Sequence, residues 1–224
     1  SIYVKEKSPH TQVIGVEPAE AAAMKASLKH GAPVTLENIS TFVDGAAVKR
    51  PGDLTFSIVQ NNDVPIQTVP ENRLCSTLMD LHSLDGIVCE PAGALSIDAL
   101  KDMREGIRGK TVVCILSGSN FDLSRYADVT ERSRIFEQKK RYLTIHVPSR
   151  PGAFMEFLQS VSSHGINVTY LHYNQITNGD TQTVAIGLES ESPESINQLL
   201  TVLRTGHIRF EDISGDPHLR EILK

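Results

Sequence analysis

No apolar run in these 224 residues approaches the ~20 needed to span a bilayer, which excludes a transmembrane helix, and the net charge of −5 gives no electrostatic reason for an anionic membrane as a partner. The first ten residues, SIYVKEKSPH, are polar and charged where the core of a secretory signal would have to be apolar. There is no basic excess: 22 Lys and Arg stand against 27 Asp and Glu, a formal charge of −5, which removes the electrostatic case for nucleic acid as a partner. Cysteine is scarce. The three present (Cys75, Cys89 and Cys114) include no C-x-x-C pair, and an odd number cannot close a complete disulfide set. Cys89 and Cys114 lie inside apolar stretches and are read as buried free thiols, as expected of a chain kept in a reducing cytoplasm. The eight histidines show no H-x-x-x-H spacing, and G-x-G-x-x-G is also missing.

What is present is an ordinary globular composition, 40% hydrophobic and 22% charged, on a chain long enough for one large domain or two smaller ones. Residues 11–16 are β-rich, and 19–29 form an Ala-rich helical pattern that stops at Gly31. Helices are expected over 54–61, over 71–83 (Leu74, Leu78 and Leu81 on one face) and over 92–103. A short strand is expected at 65–69. Residues 111–116 read as a buried central parallel strand, apolar without alternation. This alternation predicts an open, doubly wound α/β sheet through residue ~120. A charged amphipathic helix over 123–138 follows, and then the pattern changes. Strands at 142–147, 167–173, 181–188 and 207–212, helices at 153–163 and 193–204, and a hairpin turn at 177–180 give β-α-β-β-α-β, the ferredoxin-like α+β unit. The expected organisation is thus 1–138 as part of a larger α/β domain and 141–224 as a small α+β domain. The chain opens on Ser1, like a helix cut open, which makes a fragment the expectation.

Candidate functional residues cluster where small residues meet apolar runs. In GIVCEPAGAL (86–95) and VVCILSGSN (112–120), Ser117 places a hydroxyl and nearby backbone N–H groups at the end of a strand, where α/β proteins present ligands. Two readings stand open: a turn and helix cap, or a neutral hydroxyl facing a ring nitrogen and leaving it unprotonated. Glu90, before PAGA, either orients a ligand or sits at a helix start favoured by the dipole. The DGAA loop, with Gly45 and Ala46, has little bulk and lets a planar ligand approach the backbone. Glu17, at a strand end, either offers oxygen to a hard cation or is a solvated loop carboxylate. In the second part, Gly152, Ala153 and Phe154 open a helix whose N–H groups suit an amino-acid carboxylate, with Asn167 placed to reach the same ligand; a plain tight turn is the alternative.

VIGVEP, FVDGAAVKRPGDLTF, GIVCEPAGALSIDALK, VVCILSGSNFDLSRYADVTERS and LTIHVPSRPGAFMEFL, in this order across essentially the whole chain, resemble the carboxyl-terminal part of biosynthetic threonine dehydratases (threonine ammonia-lyases) of the short form with one ACT-like regulatory domain. The resemblance implies a fold-type II pyridoxal-phosphate enzyme that converts threonine to 2-oxobutanoate and ammonia on the way to isoleucine, with isoleucine as effector and a homo-oligomeric assembly. It implies that Ser117 contacts the pyridine nitrogen, that Gly45 and Ala46 line the cofactor ring and that Glu90 lies at the site edge. It also implies that Glu17 and Ala21 match a cation pattern in which Ala23 replaces a carboxylate of some relatives. The family's S-x-K-x-R-G-A motif, S-A-G-N-H loop and glycine tetrad do not occur in the chain, so the Schiff-base lysine is missing and no catalytic residue is assigned. The competing expectation is a stand-alone, non-catalytic amino-acid-binding module.

Overall fold

The computed structural model describes residues 1–174 and 181–216, so the turn expected at 177–180 lies outside the described residues. The chain divides into two compact units, Ser1–Ser133 and Arg134–Lys224.

In the first unit a short helix α1 (Ile2–Lys7) precedes strand β1 (Gly15–Pro18), which pairs in parallel with β2 (Ile66–Val69), Gly15 opposite Ile66. Between them lie a 3₁₀ turn (Ala19–Ala21), helix α2 (Ala23–His30), a second 3₁₀ turn (Asp44–Ala46) and helix α3 (Asp53–Asn61). Helix α2 ends at Gly31, whose φ of 85° is the left-handed cap that glycine adopts without strain. Helix α4 (Glu71–Asp85) buries Leu74, Leu78 and Leu81, the i, i+4, i+7 stripe of an amphipathic helix. They pack with Val43, Val69, Cys75, Ala94, Leu95 and Val129 in one core, each large side chain contributing roughly 1.5–3 kcal/mol.

Three expectations fail in this unit. The β-rich run at 11–16 is strand only from Gly15, and that strand continues through Glu17 and Pro18 instead of breaking there. The helix expected over 92–103 is two helices, α5 (Pro91–Asp98) and α6 (Leu100–Ile107), broken at Ala99. There the Asp102 amide turns back to the Ala99 carbonyl three residues away, while the buried Asp98 side chain is anchored on α4 through Arg73 and Thr77. The buried strand expected over 111–116 is not a strand. Val113 and Ile115 are 85% and 77% exposed, and among the described residues the only sheet of this unit is the pair β1–β2. β-branched composition does not make a strand without a ladder partner. The segment is held instead by isolated contacts, Ser96 Oγ to the Ile115 carbonyl (2.8 Å) and Cys114 Sγ to the Ser96 carbonyl (3.5 Å). Cys114 is accordingly half-buried rather than buried, whereas Cys75 and Cys89 are buried thiols.

Helix α7 (Tyr126–Phe136), preceded by a 3₁₀ turn (Leu123–Arg125), spans the division between the units. In the second unit, β3 (Lys140–Pro148), α8 (Ala153–Ser163), β4 (Asn167–Asn174), β5 (Thr181–Glu189), α9 (Pro193–Thr205) and β6 (Phe210–Asp212) follow in β-α-β-β-α-β order. The four strands form an antiparallel sheet in the order β4-β5-β3-β6. Period-two alternation puts Leu143, Ile145 and Val147 of β3 and Val184, Ile186 and Leu188 of β5 on one face. Phe157 and Val161 of α8 and Ile196, Leu199, Leu200 and Leu203 of α9 cover that face. Proline at the first position of α9, after Ser192, starts the helix where its missing N–H costs nothing. Among the described residues no helix is long and apolar enough to cross a membrane.

Candidate functional site

Three segments of the first unit converge: the 44–46 turn, the start of α5 and the 117–118 turn. Glu90 is the residue before α5, and its amide donates to the Gly118 carbonyl at 3.1 Å. Its carboxylate occupies the space where a Gly118 side chain would lie, and Gly118 has a φ of 74°. A Cβ added at Gly45 would stand 3.0 Å from Ala92 Cβ and 3.3 Å from Glu90 Oε1, and one at Gly93 would run into the Ser117 carbonyl oxygen. The small residues are therefore required for three backbones to approach one another. Ala46 is half-buried against the core, its amide bonded to the Val43 carbonyl at 2.9 Å, while the Gly45 amide is taken by Asp44 Oδ1 at 2.9 Å. Ser117 is exposed, and its hydroxyl has no partner among the described residues.

Gly45, Ala46, Glu90 and Ser117 are thus neighbours although they are spread over more than seventy positions. An unengaged neutral hydroxyl, a small-residue wall and backbone N–H groups at one turn suit the ring side of a pyridine-type cofactor, because such a hydroxyl donates to a ring nitrogen without protonating it. The present residues fit that half of the group. The segments that would carry a phosphate cradle and a lysine do not occur in the sequence.

Glu17 has a different task. Its Oε1 accepts the Met24 amide (2.8 Å) and its Oε2 the Lys25 amide (2.9 Å), so the carboxylate caps the first turn of α2 from seven and eight residues away. Ala21, in the 3₁₀ turn that follows, is buried. Among the described residues no group of three acidic, histidine or cysteine side chains is arranged to hold a metal, and the cation reading of Glu17 and Ala21 gains nothing from this geometry.

In the second unit Gly152 caps the start of α8 with a φ of 84°, leading into buried Ala153 and half-buried Phe154, which lies 5.2 Å, centroid to centroid, from Tyr173. Arg150 grips Glu156 through two bonds (2.9 and 2.6 Å), which holds the Glu156 carboxyl below its usual range. Asn167 does not join them. Lys140 and Asn167 both stand opposite Glu189, at one end of the sheet, whereas Pro148, just ahead of Gly152, stands opposite Thr181 at the other. Helix α8 carries the chain back along the sheet, so Asn167 lies ~27 Å along the strand direction from that end, at ~3.4 Å per residue. Within a single copy the expected four-residue cluster is therefore three residues and a distant one.

Residues 1–118 match the family model of the pyridoxal-phosphate dependent enzymes, and residues 131–223 match the model of the C-terminal regulatory domain of threonine dehydratase. The chain belongs to the pyridoxal-phosphate dependent enzyme family. More particularly, it is similar to the biosynthetic L-threonine dehydratases IlvA. It is 42% identical over 221 residues to that of Halalkalibacterium halodurans (99% of this chain, 53% of the relative) and 44% identical over 201 residues to that of Staphylococcus epidermidis (89% and 47%). The chain thus spans about half the length of the curated relatives it matches. Among solved structures, the processed form of threonine deaminase isoform 2 from Solanum lycopersicum superposes with a TM-score of 0.55 at 34% identity, over 58% of this chain and 39% of that one. Maize serine racemase, at 23% identity and a TM-score of 0.50 over 57% and 41%, shares the fold. The first unit is accordingly part of a fold-type II pyridoxal-phosphate enzyme, and pyridoxal phosphate is the cofactor of its family.

Proposed function

We propose that this chain is the ring-side half of the active site of a threonine ammonia-lyase, which turns L-threonine into 2-oxobutanoate and ammonia, joined to a regulatory unit that senses isoleucine. The observation that carries the proposal is the meeting of Gly45, Glu90 and Ser117-Gly118 at one spot, with the Ser117 hydroxyl unengaged. When bound, pyridoxal phosphate supplies an electron sink for breaking a bond at the substrate's α-carbon. Ser117 would donate to the ring nitrogen and keep it unprotonated. Gly45 and Ala46 would offer a flat wall, and Glu90 would hold the Gly118 turn through its amide while filling the space between the two loops. In the regulatory unit, the N–H groups opening α8 would receive the effector's carboxylate against Phe154. A cytoplasmic homo-oligomer completes the reading, in keeping with the three free thiols.

The test is to express the polypeptide as its gene encodes it and to measure 2-oxobutanoate released from threonine and pyruvate released from serine, with and without isoleucine. Threonine turnover inhibited by isoleucine, together with a changed cofactor absorbance in Ser117→Ala, is the expected result. Isoleucine binding with no turnover and no cofactor absorbance would overturn the enzyme reading in favour of a non-catalytic amino-acid-binding module.

A further inference from the structure

Arg125 lies 83 residues from the Phe42 carbonyl, to which its Nη2 donates at 2.6 Å, and its Nη1 reaches Asp44 Oδ2 at 3.5 Å. The same guanidinium packs near two rings, its carbon 5.3 Å from the centroid of Phe42 and 5.4 Å from that of Phe121. These partners belong to the two loops that flank the convergence point: Phe42 and Asp44 lead directly into Gly45, and Phe121 follows Ser117-Gly118, its amide turned back onto the Ser119 carbonyl at 2.8 Å. Asp44 is fixed from its other oxygen by the Gly45 amide, so a pull on Asp44 is a pull on the wall residue itself. Arg132 stacks on Phe42 at 4.2 Å and leans on Glu71, which holds the ring but touches neither Asp44 nor Phe121.

We propose that Arg125 is a positioning residue: it ties the Gly45 wall to the Ser117 wall and so sets the width of the slot that receives the cofactor ring. The inference rests on the ring-side reading above. Arginine suits the task because one planar fork donates to a carbonyl and a carboxylate while its faces meet aromatic rings, which a lysine ammonium cannot do at once. The bond to the Phe42 carbonyl is short and partly buried, so water competes poorly for it, whereas Asp44 is 65% exposed and its 3.5 Å contact adds orientation more than strength. It bonds to no residue of the slot except through Asp44, and therefore acts through the loops and not on the ring.

The experiment compares Arg125→Gln, Arg125→Lys and, as a control on an exposed ion pair, Arg50→Gln, in the polypeptide as its gene encodes it. Three quantities are read: hydrogen exchange of the amides at 45–47 without cofactor, the rate of pyridoxal-phosphate release followed by its absorbance, and the melting temperature. Arg125→Gln is expected to speed loop exchange and cofactor release each by about tenfold, the loss of one charge-assisted bond. Arg125→Lys should fall between it and the wild type, and Arg50→Gln should match the wild type. Unchanged exchange and release in Arg125→Gln would overturn the proposal. So would losses in both variants that only follow a lowered melting temperature, since Arg125 would then serve folding alone. A wild type that takes up no cofactor would sink the ring-side reading instead, and is told apart because the wild type itself then lacks the absorbance.

Discussion

Glu90 holds Gly118 twice: its amide donates to the Gly118 carbonyl at 3.1 Å, and its carboxylate lies where a side chain on Gly118 would have to go. Gly118→Ala therefore meets two penalties, a left-handed φ of 74° and an overlap with Glu90. We expect about 1–3 kcal/mol of lost stability by urea denaturation, together with weakened cofactor retention. Gly106→Ala is the contrasting case. It lies within α6, with nothing within 4 Å of the added carbon, and should stabilise the chain by roughly 0.5–1 kcal/mol in the same assay.

Asp98 is fully buried, yet its carboxylate receives Arg73 Nε (2.8 Å) and the Thr77 hydroxyl, and Lys101 Nζ stands 3.3 Å away. Arg73 also binds Asp102, which raises the guanidinium's pKa and lowers that of Asp102. Removing one partner of such a buried set strands the others, so Asp98→Ala should cost about 3–5 kcal/mol. Because Arg73 keeps Asp102, the low end is expected. A denaturation midpoint unchanged from the wild type would show that this hub contributes nothing.

Glu71 gives a pH dependence with a definite sign. One carboxylate oxygen accepts the Ser40 hydroxyl at 2.8 Å, and the other is buried without a hydrogen-bond partner among the described residues. Burial raises its pKa, opposed by the Ser40 bond and by Arg132 and assisted by Glu20 and Asp128. A carboxyl whose pKa is higher in the folded state favours folding below its unfolded value near 4.5, and that contribution is lost as pH rises through the folded value. Compared with Glu71→Gln, the wild type should gain stability as pH falls towards 4.5, by no more than about 1.4 kcal/mol per pH unit. Parallel melting curves for the two proteins from pH 7 downwards would contradict this.

Gly152 separates strain from charge in the regulatory unit. At a φ of 84°, Gly152→Asn and Gly152→Asp should each cost about 1 kcal/mol or less, since these two residues tolerate the left-handed region better than other side chains and to a similar degree. Only the aspartate would repel a carboxylate arriving at the start of α8. Isoleucine titrated calorimetrically should give saturable heat with Asn at this position and none with Asp. Equal loss in both would detach the effector from this helix terminus.

The second unit was the more legible part of the chain, because its alternating strands and its proline- and glycine-marked boundaries are local signals. Leu143, Ile145 and Val147 face inward as period two requires, and Pro193 starts its helix. Residues 111–116 misled for a physical reason: β-branched composition reports how well a segment could pair, while a strand also needs a neighbour to pair with. Asn167 misled because proximity to a shared ligand depends on which end of a sheet a helix returns to, and the capping of α2 by Glu17 is a local task that neither sequence reading of that carboxylate named. Ser117, Gly45 and Glu90 could be picked out from small residues beside apolar runs. Arg125 could not, since its hydrogen-bond partners stand some eighty positions upstream and no spacing announces them.

Burial pushes the Cys75 thiol up to about 12 and raises that of Cys89 as well, so neither forms the reactive thiolate readily at neutral pH. Cys114 is half-open, only three residues before Ser117. A sulfhydryl-directed dye should therefore label this protein selectively without any engineering. Its rate of attachment would serve as a built-in gauge of whether the nearby turn is covered or bare.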